Sequence, residues 1–251
     1  MRHGTCRDYG GNELAHELEF DASGPERKVA HMGFVREFCA ENVELVPAAI
    51  EAGAGRIELC DNLAVGGTTP SFGVIRAAVA LAHAADVPVM TMIRPRGGDF
   101  SYSASELAIM CDDIAVAAQL GSDGVVLGCA REGHLDLPAT ERLLAVADEA
   151  GRARGSRLTV TFHMAFDIIR PEEQPAAIDW LAARGVERIL THGGAAGTPI
   201  DDNLGRLREL MAYAGDRVLI LPGAGITWRN ADRIAQALNA AELHGTKIVR
   251  L

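Results

Sequence analysis

Paired cysteines are missing from this sequence. Its 251 residues contain five, Cys6, Cys39, Cys60, Cys111 and Cys129. The number is odd and no two are spaced as CxxC, which excludes a zinc ribbon and fits reduced thiols in a cytosol better than a disulfide framework. Excess positive charge is missing too. Lys and Arg number 24 against 34 Asp and Glu, a formal net charge of −10, the wrong sign for a nucleic-acid or anionic membrane surface. No stretch of about 18 consecutive apolar residues could span a bilayer, and none near the start has signal-peptide character. A cytoplasmic protein is therefore expected, with small molecules or metal ions as partners. No early GxGxxG turn follows a strand, so no nucleotide cofactor is expected.

What is present is a globular composition, 48% hydrophobic and 23% charged, in a chain close to the roughly 250 residues of one closed β/α barrel. Residues 1 to 31, rich in Gly, Glu, Arg and His, read differently from the rest. They are expected to be a mobile leader, or an addition from a mis-assigned start with Met32 as the true one. Residues 32–251 read as a single domain.

From Phe34 onward, short β-branched or apolar runs alternate with longer Ala/Leu-rich segments of helical spacing. Eight strands are expected: Val35–Ala40, Arg56–Cys60, Val87–Arg94, Gly124–Cys129, Leu158–His163, Arg188–Thr191, Arg217–Leu221 and Ala241–His244. Helices are expected over Val43–Ala52, Ser71–Ala84, Ala104–Leu120, Pro138–Arg154, Glu173–Arg184, Asp202–Ala214 and Arg229–Leu238. Gly53, Gly121, Gly185 and Gly215 stand where helices stop. This alternation specifies a parallel (β/α)8 TIM-type barrel, with an open doubly wound sheet as the competing arrangement. Only seven residues follow His244, too few for an eighth helix. Chain truncation, the leader, or a partner subunit in a homo-oligomer would account for that flank.

Polar residues fall on the interior phase of several runs. Glu37 and Cys39 share one face, as do Glu58 and Cys60, Glu242 and His244, and Thr159, Thr161 and His163. A barrel interior built only for stability is filled by Val, Ile and Leu. The opposing reading is an ionic core in which Glu37 or Glu58 pairs with Arg94. The loops after the runs are polar as well. Arg94, Arg96, Gly97, Gly98 and Asp99 combine guanidinium groups with close-approach glycines, a pattern suited to a carboxylate or phosphate. Gly223 and Gly225, in the loop after the seventh run, are candidates for anion binding through backbone amides. His163, with Asp167 in the following loop, is a candidate for acid/base work, alongside Glu37, Glu58 and His244.

Together the motifs are distinctive. Glu58-Leu59-Cys60 followed by Gly66-Gly67-Thr68-Thr69-Pro70-Ser71, then Ile93-Arg94-Pro95-Arg96-Gly97-Gly98-Asp99-Phe100, Thr161-Phe162-His163, Ala165-Phe166-Asp167 and the Gly-Ala-Gly turn resemble the CutC family over about residues 34 to 244. That resemblance implies a cytoplasmic β/α barrel associated with copper homeostasis, with Cys39 and Cys60 as the thiols that bind Cu(I). The chain departs from the family pattern at Met164, where Arg is usual, at His192, where Ser is common, and in lacking a C-terminal extension. These departures bear on any phosphate or catalytic role at the mouth. Two functional classes stand: a Cu(I)-handling protein using Cys39 and Cys60, and an enzyme acting on a small anionic substrate at the C-terminal mouth of the barrel.

Overall fold

The computed structural model describes residues 33–251; the leader expected at residues 1 to 31 lies outside them. In chain order the elements are β1 (Val35–Glu41), α1 (Val46–Glu51), β2 (Arg56–Cys60), α2 (Phe72–His83), β3 (Val89–Met92), α3 (Ala104–Gln119), β4 (Gly124–Leu127), β5 (Ala130–Arg131), β6 (His134–Leu135), α4 (Leu137–Ala153), β7 (Thr159–Phe162), α5 (Gln174–Ala183), β8 (Arg188–Thr191), α6 (Ile200–Ala214), β9 (Leu219–Pro222), α7 (Ala231–Leu238) and β10 (Glu242–Gly245). Eight of the strands form one sheet in the order β10-β1-β2-β3-β4-β7-β8-β9. Every pairing in it is parallel. From β1 to β9 each strand of this sheet joins the next in sequence, and the last, β10, returns to the first. This is the expected β/α barrel, nearly closed. Among the described residues no ladder joins β9 to β10.

The alternation of side chains along each strand sets the two faces of the barrel wall. Phe38, Ile57, Leu59, Val89 and Leu243 point outward into a core shared with Ile75, Val79 and Ile234 of the helices. A second outer core gathers Val125, Leu127, Val160, Phe162 and Ile189 with Ile114, Leu143 and Ile178. Covering both faces buries all five residues of β2, as a parallel strand requires. Helix ends follow local chemistry. The Ser71 hydroxyl accepts from the Val74 N–H at the start of α2, and Ser103 forms a reciprocal capping box with Glu106 at α3. Gly121 and Gly185 close α3 and α5 at φ of +90° and +73°, where a side chain would be strained.

Three local features differ from expectation. Helix α1 starts at Val46, because Pro47 fits only the first turn and Asn42, at φ +61°, turns its side chain back to the Val43 N–H. Strand β3 is shorter at both ends: Pro88 has no N–H for the ladder, and the Arg94 N–H bonds the Thr69 hydroxyl at 2.9 Å. The antiparallel hairpin β5–β6 was not anticipated. It turns at Glu132 and Gly133, both at positive φ, a conformation that Asn-Gly or Asp-Gly announces but Glu-Gly does not. Beyond β10 the described residues form no helix. Ile248 and Val249 are instead buried in the same outer core as Leu243.

Candidate functional site

The barrel interior is charged from its base upward. Arg56, the first residue of β2, bonds both Glu37 and Glu242 through its guanidinium. Arg188, the first residue of β8, reaches Glu242 at 2.7 Å. Register explains the contact, because Glu37 stands opposite Arg56 on one side and opposite His244 on the other. Burial works against charging Glu37, but Arg56 and His244 outweigh it and lower its pKa to about 2. The alternative reading, an ionic core in which Glu37 or Glu58 pairs with Arg94, does not hold, because the Arg94 guanidinium binds only carbonyls. Arg56 is the partner of Glu37, and its signal was its phase, two residues before Glu58 and four before Cys60 on the same face.

One level up, His244 bridges the two glutamates. Its Nδ1–H donates to Glu37 Oε1 at 2.8 Å and its Nε2 lies 3.6 Å from Glu58 Oε2. Burial opposes protonation of the ring, yet Glu58 and Glu37 outweigh it and hold its pKa well above the usual histidine range. Glu58 is buried, and that burial raises its pKa against the pull of His244; its Oε1 has no hydrogen-bond partner.

Cys39 and Cys60 complete this layer. Cys39 stands opposite Glu58, and Cys60 opposite Glu41, so the two cysteines are offset diagonally. Their side chains bring the sulfurs to 4.0 Å nevertheless, and Cys60 Sγ lies 3.6 Å from Glu58 Oε2. The donor atoms of Cys39, Glu58 and Cys60 are close enough to share one ion, as are those of Glu37, Glu58 and His244. The hydrogen bond to Cys60, then burial, pushes the Cys39 thiol well above its ordinary pKa. For Cys60 the hydrogen bond from Cys39 pulls downward, while burial and Glu58 together push the thiol up to about 11. Met90 and Met92 of β3 pack against the two cysteines inside the barrel.

Above them opens a cavity of ≈ 260 Å³ at the C-terminal ends of the strands. Cys39, Glu58, Cys60, Arg94, His163 and His244 all line it, so the structure brings together most of the side chains singled out from the sequence. Arg94 is 3% exposed. Its guanidinium binds the carbonyls of Val65, Gly67 and Gly98 at 2.7–3.0 Å, clamping the loops after β2 and β3. His163 follows β7, and its Nδ1 accepts the Ala165 N–H at 3.1 Å. Burial, with Arg94 adding to it, lowers its pKa to about 3. Phe100, which the sequence did not single out as a site residue, lies 4.9 Å from the His163 ring and 4.8 Å from the Arg94 guanidinium carbon.

Of the other candidates, all but Gly225 lie apart from the cavity wall. Arg96 is bound by Glu106, Asp99 and the Ser101 carbonyl on the outer side of the loop. Asp99 is mostly exposed. Gly97 faces Val65, which its missing side chain lets approach, and Gly98 gives its carbonyl to Arg94. Asp167 bonds the Thr191 hydroxyl and accepts the His192 N–H at 2.9 Å; burial raises its pKa against those bonds. Gly225 lines the cavity with Ala224 and Ile226, whereas Gly223 packs beneath Leu190 and His244. Of the two departing side chains, Met164 lines the cavity. His192 turns its ring to the Gly223 carbonyl and Thr198.

A family model described as the CutC family matches residues 34–249. The chain belongs to the CutC family. A CutC protein from Enterococcus faecalis is 55% identical over 216 residues, covering 86% of this chain and 100% of that protein. The human copper homeostasis protein cutC homolog is 40% identical over 213 residues, covering 84% of this chain and 72% of its own length. The crystal structure of the CutC protein from Streptococcus agalactiae superposes with a TM-score of 0.80 at 44% identity, covering 86% of this chain and 100% of that one. A phosphonomutase-like protein from Burkholderia cenocepacia shares the barrel alone, at 16% identity and a TM-score of 0.61. No helix among the described residues of this CutC family member is long and apolar enough to cross a membrane.

Proposed function

We propose that this protein takes part in copper homeostasis by binding Cu(I) through Cys39 and Cys60. The observation that carries the reading is the 4.0 Å approach of two buried sulfurs that share the cavity wall. With sulfur–metal bonds of the length zinc makes to thiolate, about 2.3 Å, that separation subtends about 120° at a bound ion. This is a trigonal angle and leaves room for one further donor. Thiolates and thioethers are the ligands a soft ion prefers, which favours Met92, packed in the same cluster, over the harder Glu58. The copper homeostasis name of the human and mouse relatives supports the same reading, which places the protein in the cytoplasm, where thiols stay reduced.

Both thiols are held protonated by their surroundings, so the ion must displace two protons and its affinity should rise with pH. Titration with Cu(I) against a competing chelator should give a stoichiometry near one. Cys39→Ser and Cys60→Ser should each abolish the binding while the circular dichroism spectrum is unchanged. Retained affinity in the double serine variant would remove the thiol site and leave enzyme chemistry at the mouth as the better reading.

A further inference from the structure

Arg56 and Arg188 find carboxylates inside the barrel. Arg94, equally deep, finds none among the described residues. Its terminal nitrogens are bound to three neutral carbonyls, and its Nε–H has no partner. A buried guanidinium without a counter-charge is costly, and a buried donor left unbonded adds to that cost. Beside it, His163 repeats the pattern. Because Nδ1 accepts from the Ala165 N–H, the neutral ring carries its proton on Nε2, which also has no partner. Both side chains are 3% exposed, both line the cavity, and the Phe100 ring packs on both.

We propose that the barrel mouth is a binding site for a small organic carboxylate, whose oxygens take the unpartnered N–H groups of Arg94 and His163. One uncompensated positive charge matches one negative charge, because His163 is neutral and His244 is already paired with Glu37 and Glu58. A monoanion therefore fits better than a phosphate dianion. The rest of the wall includes Leu63, Met92, Met164 and Leu190, which suits an aliphatic body on the acid. The ≈ 260 Å³ volume falls below the range of about 300 to 1,000 Å³ that holds drug-sized ligands, so the acid is short. Both donor nitrogens are buried and the Phe100 ring packs on both side chains, so a shift of Phe100 is the expected accompaniment of carboxylate entry.

The proposal does not depend on copper and is tested on metal-free protein. Calorimetric titration with acetate, propionate, n-butyrate and inorganic phosphate is compared with NMR of the 15N-labelled histidines. Saturable binding of propionate or n-butyrate with a stoichiometry near one is expected, together with a downfield shift of the His163 Nε2–H and no comparable binding of phosphate. His163→Asn keeps an acceptor for the Ala165 N–H but deletes the Nε2 donor, and should weaken the carboxylate about tenfold, the worth of one hydrogen bond. Because the acid is titrated on metal-free protein and copper against a chelator, loss of one binding with retention of the other separates this site from the thiol site. Failure of every acid to saturate, phosphate binding as tightly as the carboxylates, or an unweakened His163→Asn variant that is folded by circular dichroism would each overturn the proposal.

Discussion

Arg56 and Arg94 are buried guanidinium groups in one barrel, and they are treated oppositely. Arg56, where β2 begins, meets Glu37 and Glu242 in a network that extends to Arg188. Arg94, where β3 gives way to its loop, meets only carbonyls. Unpartnered polar atoms gather near the second residue, at Arg94 Nε, His163 Nε2 and Glu58 Oε1. The contrast follows the general division of β/α barrels, in which the N-terminal ends of the strands carry stability and the C-terminal ends carry chemistry. At the base every charge has been answered within the chain. At the mouth donors and thiols are left open, and something from outside the chain can answer them.

The sharpest way to break that comparison is at the base. Arg56→Met should destabilise the protein by about 3 to 5 kcal/mol, because it leaves Glu37 and Glu242 buried beside one another without their shared cation. Urea denaturation measures it, and a loss below about 1 kcal/mol would mean that the base network is not structural.

A second effect belongs to the mouth and depends on pH. The His163 pKa is lowered from 6.5 to about 3 in the folded state, so between those values the unfolded chain binds the extra proton and stability falls as pH falls. Between pH 6.5 and 4.5 the wild type should lose about 2 kcal/mol relative to His163→Asn, which cannot take up that proton. Comparing the two proteins cancels groups such as Glu58 and Asp167, whose raised values act in the opposite sense. Parallel denaturation curves at the two pH values would show that the ring is charged in the fold.

Smaller effects are expected from the thiols. Cys60→Ala removes one buried sulfur from the wall of an existing cavity, together with its long contact to Glu58 Oε2, and should cost about 1 kcal/mol, well under the loss at Arg56, since Glu58 keeps His244 beside it. Thermal denaturation without metal reads this, and a loss as large as that of Arg56→Met would make Cys60 a structural residue. The smallest effect should come from outside the barrel. Arg152 and Asp148, four apart on α4 and both well exposed, form a pair whose removal by Arg152→Ala should change stability by about 0.3 to 0.5 kcal/mol.

The sequence by itself determined the architecture. Eight short runs alternating with helical segments specify a parallel sheet covered on both faces, and the count of eight without an early GxGxxG turn favours closure over an open doubly wound sheet. It also determined which residues face inward, since Glu37, Cys39, Glu58, Cys60, Glu242 and His244 follow directly from the period of two. Partner choice was decided only by the tertiary structure. Phase shows that Arg56 and Glu58 point inward, but the stagger between neighbouring strands decides that Glu37 meets Arg56 and His244 while Arg94 meets carbonyls. The same stagger sets Cys39 beside Glu58 instead of beside Cys60, and side-chain reach alone closes the sulfurs to 4.0 Å. Phe100 and the hairpin at Glu132 and Gly133 were illegible for a related reason, because a loop's conformation depends on what it packs against. Register and loop packing are set by contacts between segments far apart in the chain, and local pattern carries no record of them.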